Sequence, residues 1–247
     1  IEEVKLAFCG RFDMSDSGEL QHYLNVRITR SAHWTVLDQF AYTTKVLEKF
    51  KDFMGSATKT RKHPLPHDVC DRLLEAQTAE HTAEEQEFVD NFPYKSVVGA
   101  VLYLAMHTRP DIAYAVGVLA RHASEPSYVA CKLAVHLLQY LRRTSHYGIR
   151  FTATTFDLHA FSDADWAGDK ITRKSTTGYV VFAAGGPIAW QSKLQTTVAT
   201  SSMESEYMAM YAALQESVCL LGVLEGLGLP IGVPTPLFID NQSAQDL

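Results

Sequence analysis

Residues 157–168, DLHAFSDADWAG, begin the part of the sequence that decides the fold. Two more apolar runs follow, GYVVFAA at 178–184 and PIAWQSK at 187–193, and the stretches between them are rich in glycine, threonine, lysine and proline. Short apolar runs bounded by such turn residues are typical of β-strands. The pattern therefore predicts three successive strands arranged as a meander.

A long helix and a last strand follow the meander. In SSMESEYMAMYAALQESVCLLGVLEGLG, residues 201–228, apolar side chains recur at a spacing that fits one helical face: Tyr207, Met210, Tyr211, Leu214, Val218 and Leu221. Ser201 and Glu204 have the spacing of a capping box, which marks the start of a helix. TPLFID at 235–240 predicts a final strand, so the element order is β-β-β-α-β.

Carboxylates lie at the ends of two of these strands. Asp163 and Asp165 share one face of the first strand, because side chains alternate along a strand. Asp240 ends the last strand, and a right-handed crossover through the helix makes the first and last strands parallel. We therefore expect Asp163 and Asp240 to be neighbours. The position of Glu206 relative to them depends on the direction of the preceding strand, which the sequence leaves open.

Three converging carboxylates predict a particular chemistry. They repel one another unless a hard cation such as Mg²⁺ or Mn²⁺ lies between them. A pair of such ions about 4 Å apart is suited to phosphoryl transfer. Two alternatives stay open: carboxylates at strand ends that are only solvated or capping a turn, and a hydrolase that uses two acids without metal.

The N-terminal part of the chain predicts three further segments. Residues 1–60 combine a strand or hairpin with a helix, and residues 61–92, with their prolines and glutamates, predict an exposed linker. Residues 93–150 have the periodicity of three amphipathic helices, and Gly148 is a plausible helix stop. We place the boundary of the C-terminal domain, 151–247, after residue 150. The whole is an α/β chain.

Composition excludes several classes of protein. The chain has 247 residues, of which 47% are apolar and 20% charged, as in globular proteins and unlike disordered chains. Its four cysteines are scattered singly, which argues against a zinc site or a disulfide framework and fits a reducing compartment. Neither a signal peptide nor a run of about 18 apolar residues occurs, so we expect no membrane partner.

Charge bears on nucleic-acid binding. The net charge of −6 argues against coating of nucleic acid by the whole surface. A local basic turn, Lys170, Arg173 and Lys174, is the candidate contact for the phosphates of a duplex. A turn face that is only solvated is the alternative.

The stretch SDADWAG…LQES, 162–217, followed by FIDNQSA, 238–244, resembles the ribonuclease H domain of copia-type LTR retrotransposon Pol polyproteins. Upstream, PYKSVV…SEPS at 93–127 and YLRRTSHYGI at 140–149 resemble the segment that connects reverse transcriptase to this domain. FDMSDSGELQHYLNVRITRS, 12–31, resembles the end of the reverse transcriptase. The resemblance covers essentially the whole chain.

This resemblance implies a fold, a site and an activity. The fold would be a ribonuclease H-like mixed sheet preceded by a mainly helical connection and a reverse transcriptase remnant. Asp163, Glu206 and Asp240 would be the catalytic acids and would hold two Mg²⁺ or Mn²⁺ ions. The activity would be endonucleolytic hydrolysis of RNA in RNA:DNA hybrids during reverse transcription.

The resemblance also implies partners and limits. The partners would be the RNA:DNA hybrid and the rest of the Pol polyprotein, with its reverse transcriptase palm and fingers and its integrase, in cytoplasmic virus-like particles or the nucleus. The Tyr-X-Asp-Asp polymerase motif would precede Ile1, so no polymerase activity is expected, and a fourth acid would follow Leu247. The alternative is a catalytically incomplete remnant that only binds nucleic acid or a partner, or has no activity.

Overall fold

A computed structural model describes residues 2–13, 18–56, 58–152, 157–229 and 234–241. The helices are α1 (Glu2–Arg11), α2 (Phe40–Lys49), α3 (Val69–Glu75), α4 (Ala83–Asn91), α5 (Tyr94–His107), α6 (Ala113–Ala120), α7 (Tyr128–Arg143) and α8 (Ser202–Gly226), with short 3₁₀ helices at Lys51–Phe53 and Pro110–Ile112. The strands are β1 (His22–Tyr23), β2 (Val26–Arg30), β3 (Trp34–Asp38), β4 (Gly148–Thr152), β5 (His159–Asp165), β6 (Thr176–Ala183), β7 (Gly186–Leu194) and β8 (Leu237–Phe238). The described part of the chain is thus α/β, as predicted, and it contains two sheets.

The first sheet joins distant parts of the chain. Its order is β1-β2-β3-β4, and all three pairs are antiparallel. The boundary predicted after residue 150 falls inside β4, which pairs with β3 through Leu37 and Ile149. Gly148 begins β4 instead of ending a helix, and a Cβ there would collide with the Leu37 carbonyl oxygen. The missing side chain therefore permits close approach of the strands.

The helices α2, α3, α5, α6 and α7 surround the larger of two hydrophobic cores. Its fully buried side chains include Phe50, Met54, Val97, Val101, Leu104, Leu119, Leu137, Leu138 and Leu141. Buried among them is Arg109, whose guanidinium donates to the carboxylate of Asp111 and to both oxygens of Thr144. This pairing satisfies a charge that would otherwise be costly to bury.

The segment 61–92 differs from the predicted exposed linker. It forms α3 and α4, and Leu65, Val69 and Leu73 are buried in the larger core. We call this core and the helices α2–α7 around it the helical unit. In the sequence, these few apolar positions stand among short polar stretches and a run of glutamates, so they form no recognisable apolar pattern. Their burial depends on α7, which packs against both helices. The division into four domains otherwise stays a prediction.

The second sheet has the order β7-β6-β5-β8. Pairs β5–β6 and β6–β7 are antiparallel, whereas β5–β8 is parallel, with Ala160 opposite Leu237 and Phe161 opposite Phe238. The predicted order β-β-β-α-β is confirmed, and so is the parallel arrangement of its first and last strands, β5 and β8. Helix α8 crosses from β7 to β8 and packs on β5 and β6.

Helix α8 turns its small side chains toward the sheet. Ala209, Ala213 and Ser217 are buried, together with Ser205 and Glu206 near the helix start. The large apolar side chains of the predicted face are exposed to solvent in most cases: Tyr207, Tyr211, Leu214 and Val218. The helix is confirmed, but most of the apolar face predicted from the spacing does not pack against the sheet. Small residues occupy the packed face because they let the helix approach the strands closely.

Among the helices of the described residues, only α8 is long and apolar enough to span a membrane on length and composition alone, with a mean hydropathy of 1.4 over its best window. The exposed apolar stripe accounts for that value. Four glutamates lie along the same helix, at 204, 206, 216 and 225. The expectation of no membrane partner stays a prediction.

Candidate metal centre

Three predicted carboxylates meet at one edge of the second sheet. Asp163 lies near the end of β5, Glu206 in the first turns of α8, and Asp240 two residues after β8. Each offers one carboxylate oxygen to a group whose members all lie within 4.8 Å of one another. Glu206 is buried, whereas Asp163 and Asp240 are exposed. The carboxylate cluster thus has one buried member, Glu206, and two members that face the solvent, Asp163 and Asp240.

Local hydrogen bonds fix the start of α8 and with it Glu206. The Ser201 hydroxyl accepts from the Glu204 backbone N–H at 3.1 Å, as a helix cap. The buried Gln195 side chain donates both to the Ser205 carbonyl and to the Thr177 hydroxyl, each at 3.0 Å. Gln195 thereby ties the first turn of α8 to β6, which limits the positions open to Glu206.

The predicted capping box is only half formed. The Glu204 carboxylate accepts from the backbone N–H and the hydroxyl of Thr200, at 2.6 and 2.7 Å, rather than from the Ser201 N–H. These two hydrogen bonds hold the pKa of Glu204 below its ordinary value. Glu204 is exposed and is not a member of the group of three carboxylates, so we assign it to the helix end.

The surroundings of Glu206 disfavour its charged form and raise its pKa. Burial raises the pKa of this carboxyl, the negative charges of Asp163 and Asp240 raise it further, and a hydrogen bond from the Ala164 backbone N–H opposes them. The Oε2 atom of Glu206 is buried and has no hydrogen-bond partner in the described structure. A buried unsatisfied carboxylate oxygen is costly, and a cation between the three acids would relieve that cost.

The donor set fits a divalent metal. Three carboxylates offer hard oxygen ligands, which Mg²⁺ and Mn²⁺ prefer. The buried, unpartnered oxygen of Glu206 is the observation that favours a ligand over a solvated acid cluster. Asp163, Glu206 and Asp240 are thus the residues able to hold the ion.

Asp165 lies beside the cluster on the same strand face as Asp163, as predicted. Burial and then the charge of Asp163 raise its pKa, while Arg121 acts in the opposite direction. Its carboxylate lies over Gly168, where a Cβ would overlap it. Asp165 is outside the group of three ligands and adds negative potential to the edge.

The predicted basic turn, residues 166–175, is anchored to the helical unit. Lys170 Nζ contacts the Asp71 carboxylate of α3, and Arg121 pairs with Asp169 at 3.0 Å. Arg173 and Lys174 have no carboxylate partner among the described residues. The contact with nucleic acid predicted for Lys170, Arg173 and Lys174 stays a prediction, with Lys170 already engaged.

A cavity of about 730 Å³ opens beside the carboxylates. Asp163, Asp165 and Asp240 line one part of it, and aromatic residues line much of the rest: Tyr114, Phe161, Tyr179, Phe182, Trp190 and Phe238. The sequence did not single out Tyr114 as a site residue. No local signal marks it, because it reaches the sheet only through the packing of α6 against β7.

Comparisons of the sequence with known proteins identify several relatives. The chain is 37% identical over 250 aligned positions to the retrovirus-related Pol polyprotein from transposon TNT 1-94 of Nicotiana tabacum, covering 100% of this chain and 18% of that protein. It is 33% identical over 235 positions to the Pol polyprotein from transposon RE1 of Arabidopsis thaliana, covering 95% of this chain and 15% of the relative. The chain thus spans less than a fifth of the length of these two relatives.

A shorter relative matches about half of the chain at a higher sequence identity. The secreted RxLR effector protein 161 of Plasmopara viticola is 51% identical over 131 positions, which are 53% of this chain and 92% of that protein. No family model and no solved structure matches the chain.

Proposed function

Because the chain belongs to the retrovirus-related Pol polyproteins of copia-type transposons, we propose that it hydrolyses the RNA strand of RNA:DNA hybrids in a metal-dependent reaction. The proposal assigns this activity to a ribonuclease H-like unit made of β5–β8 and α8. The observation that carries it is the cluster of Asp163, Glu206 and Asp240, with its buried and unpartnered glutamate oxygen.

The three acids have different tasks in this proposal. Glu206, buried and fixed by the start of α8, holds the inner side of the ion site. Asp163 and Asp240 are exposed, so they ligate from the side that a phosphodiester can reach. When bound, divalent ions would supply Lewis-acid activation of water and charge stabilisation for the leaving 3′ oxygen. The carboxylates themselves orient the site and keep it strongly negative until the ions bind.

In this proposal, the basic turn 166–175 attracts the phosphates of the substrate. Phosphate groups would be repelled by four close carboxylates, Asp165 included, without compensating cations. Arg173 and Lys174 extend from the turn that follows β5 and have no carboxylate partner among the described residues. They are suited to contact phosphates of the hybrid. In the same proposal, the chain works together with the rest of the Pol polyprotein in cytoplasmic virus-like particles.

The test is cleavage of an end-labelled RNA:DNA hybrid by the purified chain with Mg²⁺ or Mn²⁺, beside an EDTA blank. Asp163→Asn removes one ligand charge, and Asp52→Asn removes an exposed aspartate far from the cluster in sequence and serves as the matched control. We expect metal-dependent cleavage by the wild type and by the control, and loss in Asp163→Asn. Absence of cleavage by folded wild-type protein would instead favour a remnant that only binds.

A further inference from the structure

A second candidate site lies in the helical unit, on the segment predicted to be a linker. Residues 58–67 form a loop that runs along α7 and is held by three of its side chains. Arg142 donates to the Ser56 and Lys59 carbonyl oxygens at 2.8 and 3.3 Å. His136 Nε2 lies 3.0 Å from the His63 carbonyl oxygen. The loop is thus fixed through its backbone.

Gln139 completes this attachment. Its buried side chain accepts from Arg61 Nε at 3.1 Å and donates to the Met54 carbonyl oxygen at 2.9 Å. Residues 136, 139 and 142 are three apart, so they share one face of α7. Arg61 is thereby oriented through one nitrogen, and its two terminal nitrogens have no acceptor among the described residues.

The attachment leaves the cations of the loop available. Lys59, Arg61 and Lys62 are exposed, and none of them has a carboxylate partner in the described part of the chain. A loop held by its backbone, with unpaired cationic side chains, has already lost much of the conformational freedom that binding would cost it.

The loop borders a groove of about 840 Å³ between α3 and α7. We call it the basic groove and define it by Lys59, Arg61, Arg72, Lys132 and His136, which line it. Two carboxylates also line it: Asp68, which is paired with Arg72 at 2.8 Å, and Glu75. Cations therefore outnumber carboxylates in the groove, although the chain as a whole has a net charge of −6.

The environment of His136 agrees with a positive potential in the basic groove. Burial lowers its pKa most, and the charges of Arg61, Arg72 and His63 lower it further against a hydrogen bond to the His63 carbonyl oxygen that raises it. Lys132 extends over the rings of Phe88 and Tyr128, with Nζ 4.8 and 5.3 Å from their centroids. The lysine is thus positioned by its aromatic neighbours rather than by an acid.

We propose that the basic groove binds the phosphate backbone of a nucleic acid, as a contact separate from the carboxylate cluster. Free guanidinium nitrogens match phosphate oxygens in a bidentate arrangement, and several unpaired cations suit a chain of repeated monoanions better than a single anion. Helix α3 links the groove to the basic turn, since it carries both Arg72 and the Asp71 that contacts Lys170. The identity of the ligand as the RNA:DNA hybrid rests on the proposed function.

The test is fluorescence anisotropy of a labelled RNA:DNA hybrid of 20 base pairs in EDTA, at several salt concentrations. Arg61→Ala removes the oriented guanidinium. Lys59→Ala removes a cation whose side chain makes no described hydrogen bond, so we expect the variant protein to keep the wild-type fold. Each is expected to weaken binding about three- to tenfold and to reduce the salt slope by about one. Lys45→Ala, an exposed lysine of α2 outside the groove, is the matched control and should bind like the wild type.

The outcomes separate this proposal from the proposed function. If Asp163→Asn binds the hybrid normally in EDTA and Arg61→Ala and Lys59→Ala do not, the groove contact stands whether or not the chain cleaves. Equal affinities for wild type, Arg61→Ala and Lys59→Ala would overturn it. An equal loss of affinity in Lys45→Ala would also overturn it, because that result indicates diffuse electrostatic attraction. Polyglutamate that competes with the hybrid equally strongly would overturn it as well, because that result indicates an acidic polypeptide as the ligand.

Discussion

Asp163 lies within β5, and Asp240 lies two residues after the end of the neighbouring parallel strand β8, at the same distance from a paired position. Phe161 of β5 is opposite Phe238 of β8, and each aspartate follows its phenylalanine by two residues. Side chains two residues apart share a face of a strand, so the parallel register sets the two carboxylates side by side. Two like charges are thereby held close together at the edge of the sheet.

Asp163→Asn is expected to leave the metal-free protein at least as stable as the wild type. The substitution removes a charge that repels Glu206 and Asp165, and Asp163 is exposed, so little packing is lost. Thermal melting in EDTA measures this. A clear fall in the melting temperature would mean that Asp163 has a structural role that the cluster geometry does not explain.

Divalent metal is expected to stabilise the wild type. An ion that binds only the folded state adds RT ln(1 + [L]/Kd) to the free energy of unfolding, about 2.7 kcal/mol at a concentration of 100 Kd. Melting temperatures should therefore rise with added Mg²⁺ or Mn²⁺, and much less so in Asp163→Asn or Asp240→Asn. Asp52→Asn serves again as the control. An equal rise in all four proteins would place the metal elsewhere.

The stability of the metal-free protein is expected to fall as the pH rises through the titration of Glu206. Its folded-state pKa lies above the ordinary value of 4.5, so between the two values the native state binds more protons than the unfolded state, and stability decreases with pH. Urea unfolding in EDTA across pH 4 to 8 follows this loss. In Glu206→Gln the slope should be smaller, and an unchanged slope would assign it to other groups.

Asp165 has a raised pKa for the same reason, burial together with the charge of Asp163. It therefore contributes a loss of stability of the same sign. Asp163→Asn is accordingly expected to flatten the pH dependence as well, because its charge acts on both Glu206 and Asp165. Added metal should reverse the trend, because protons and the ion compete for the same oxygens.

Gly168→Ala is expected to destabilise the protein by about 1 kcal/mol, the low end of the cost of overpacking, because the overlapped group is the end of an exposed side chain. A Cβ at this position would overlap the carboxylate of Asp165, which would have to move. Combining it with Asp165→Ala removes the overlapping group, so the double variant should lose less stability than the sum of the single variants. Strict additivity in this double-mutant cycle would show that the two residues are not in contact.

Ser201→Ala is expected to cost about 1 kcal/mol of stability through loss of the helix cap. The hydroxyl accepts the Glu204 backbone N–H, near the start of the helix that positions Glu206. Denaturant unfolding measures the loss, with Ser202→Ala as the matched neighbour, since no described hydrogen bond uses its hydroxyl. Metal affinity should fall with Ser201→Ala if the cap orients Glu206.

Local sequence patterns were enough to predict the element order of the second sheet and the proximity of Asp163 and Asp240. Alternation along 159–165 set Asp163 and Asp165 on one face, and the handedness of the crossover set Asp240 beside Asp163. These properties depend on residues close together in the chain or on a general rule of connection. Both are visible without knowing what packs against the sheet.

Contacts between distant segments decided the rest. Leu65, Val69 and Leu73 are buried only because α7 lies beside them, so the segment 61–92 could be taken for a linker. The periodicity of α8 specified its faces, but whether the small or the large side chains pack depends on how closely the sheet approaches.

The sequence by itself determined which carboxylates are available and which strand ends they occupy, because these follow from period, turn chemistry and connection handedness. Residue patterns alone left open whether Glu206 joins Asp163 and Asp240, and the tertiary structure decided it, since its position depends on the direction of β7 and on Gln195, which ties α8 to β6. Only the tertiary structure aligned the loop 58–67 with α7 and so formed the basic groove. Cations and acids spaced along the chain become sites only when packing fixes the distances between them.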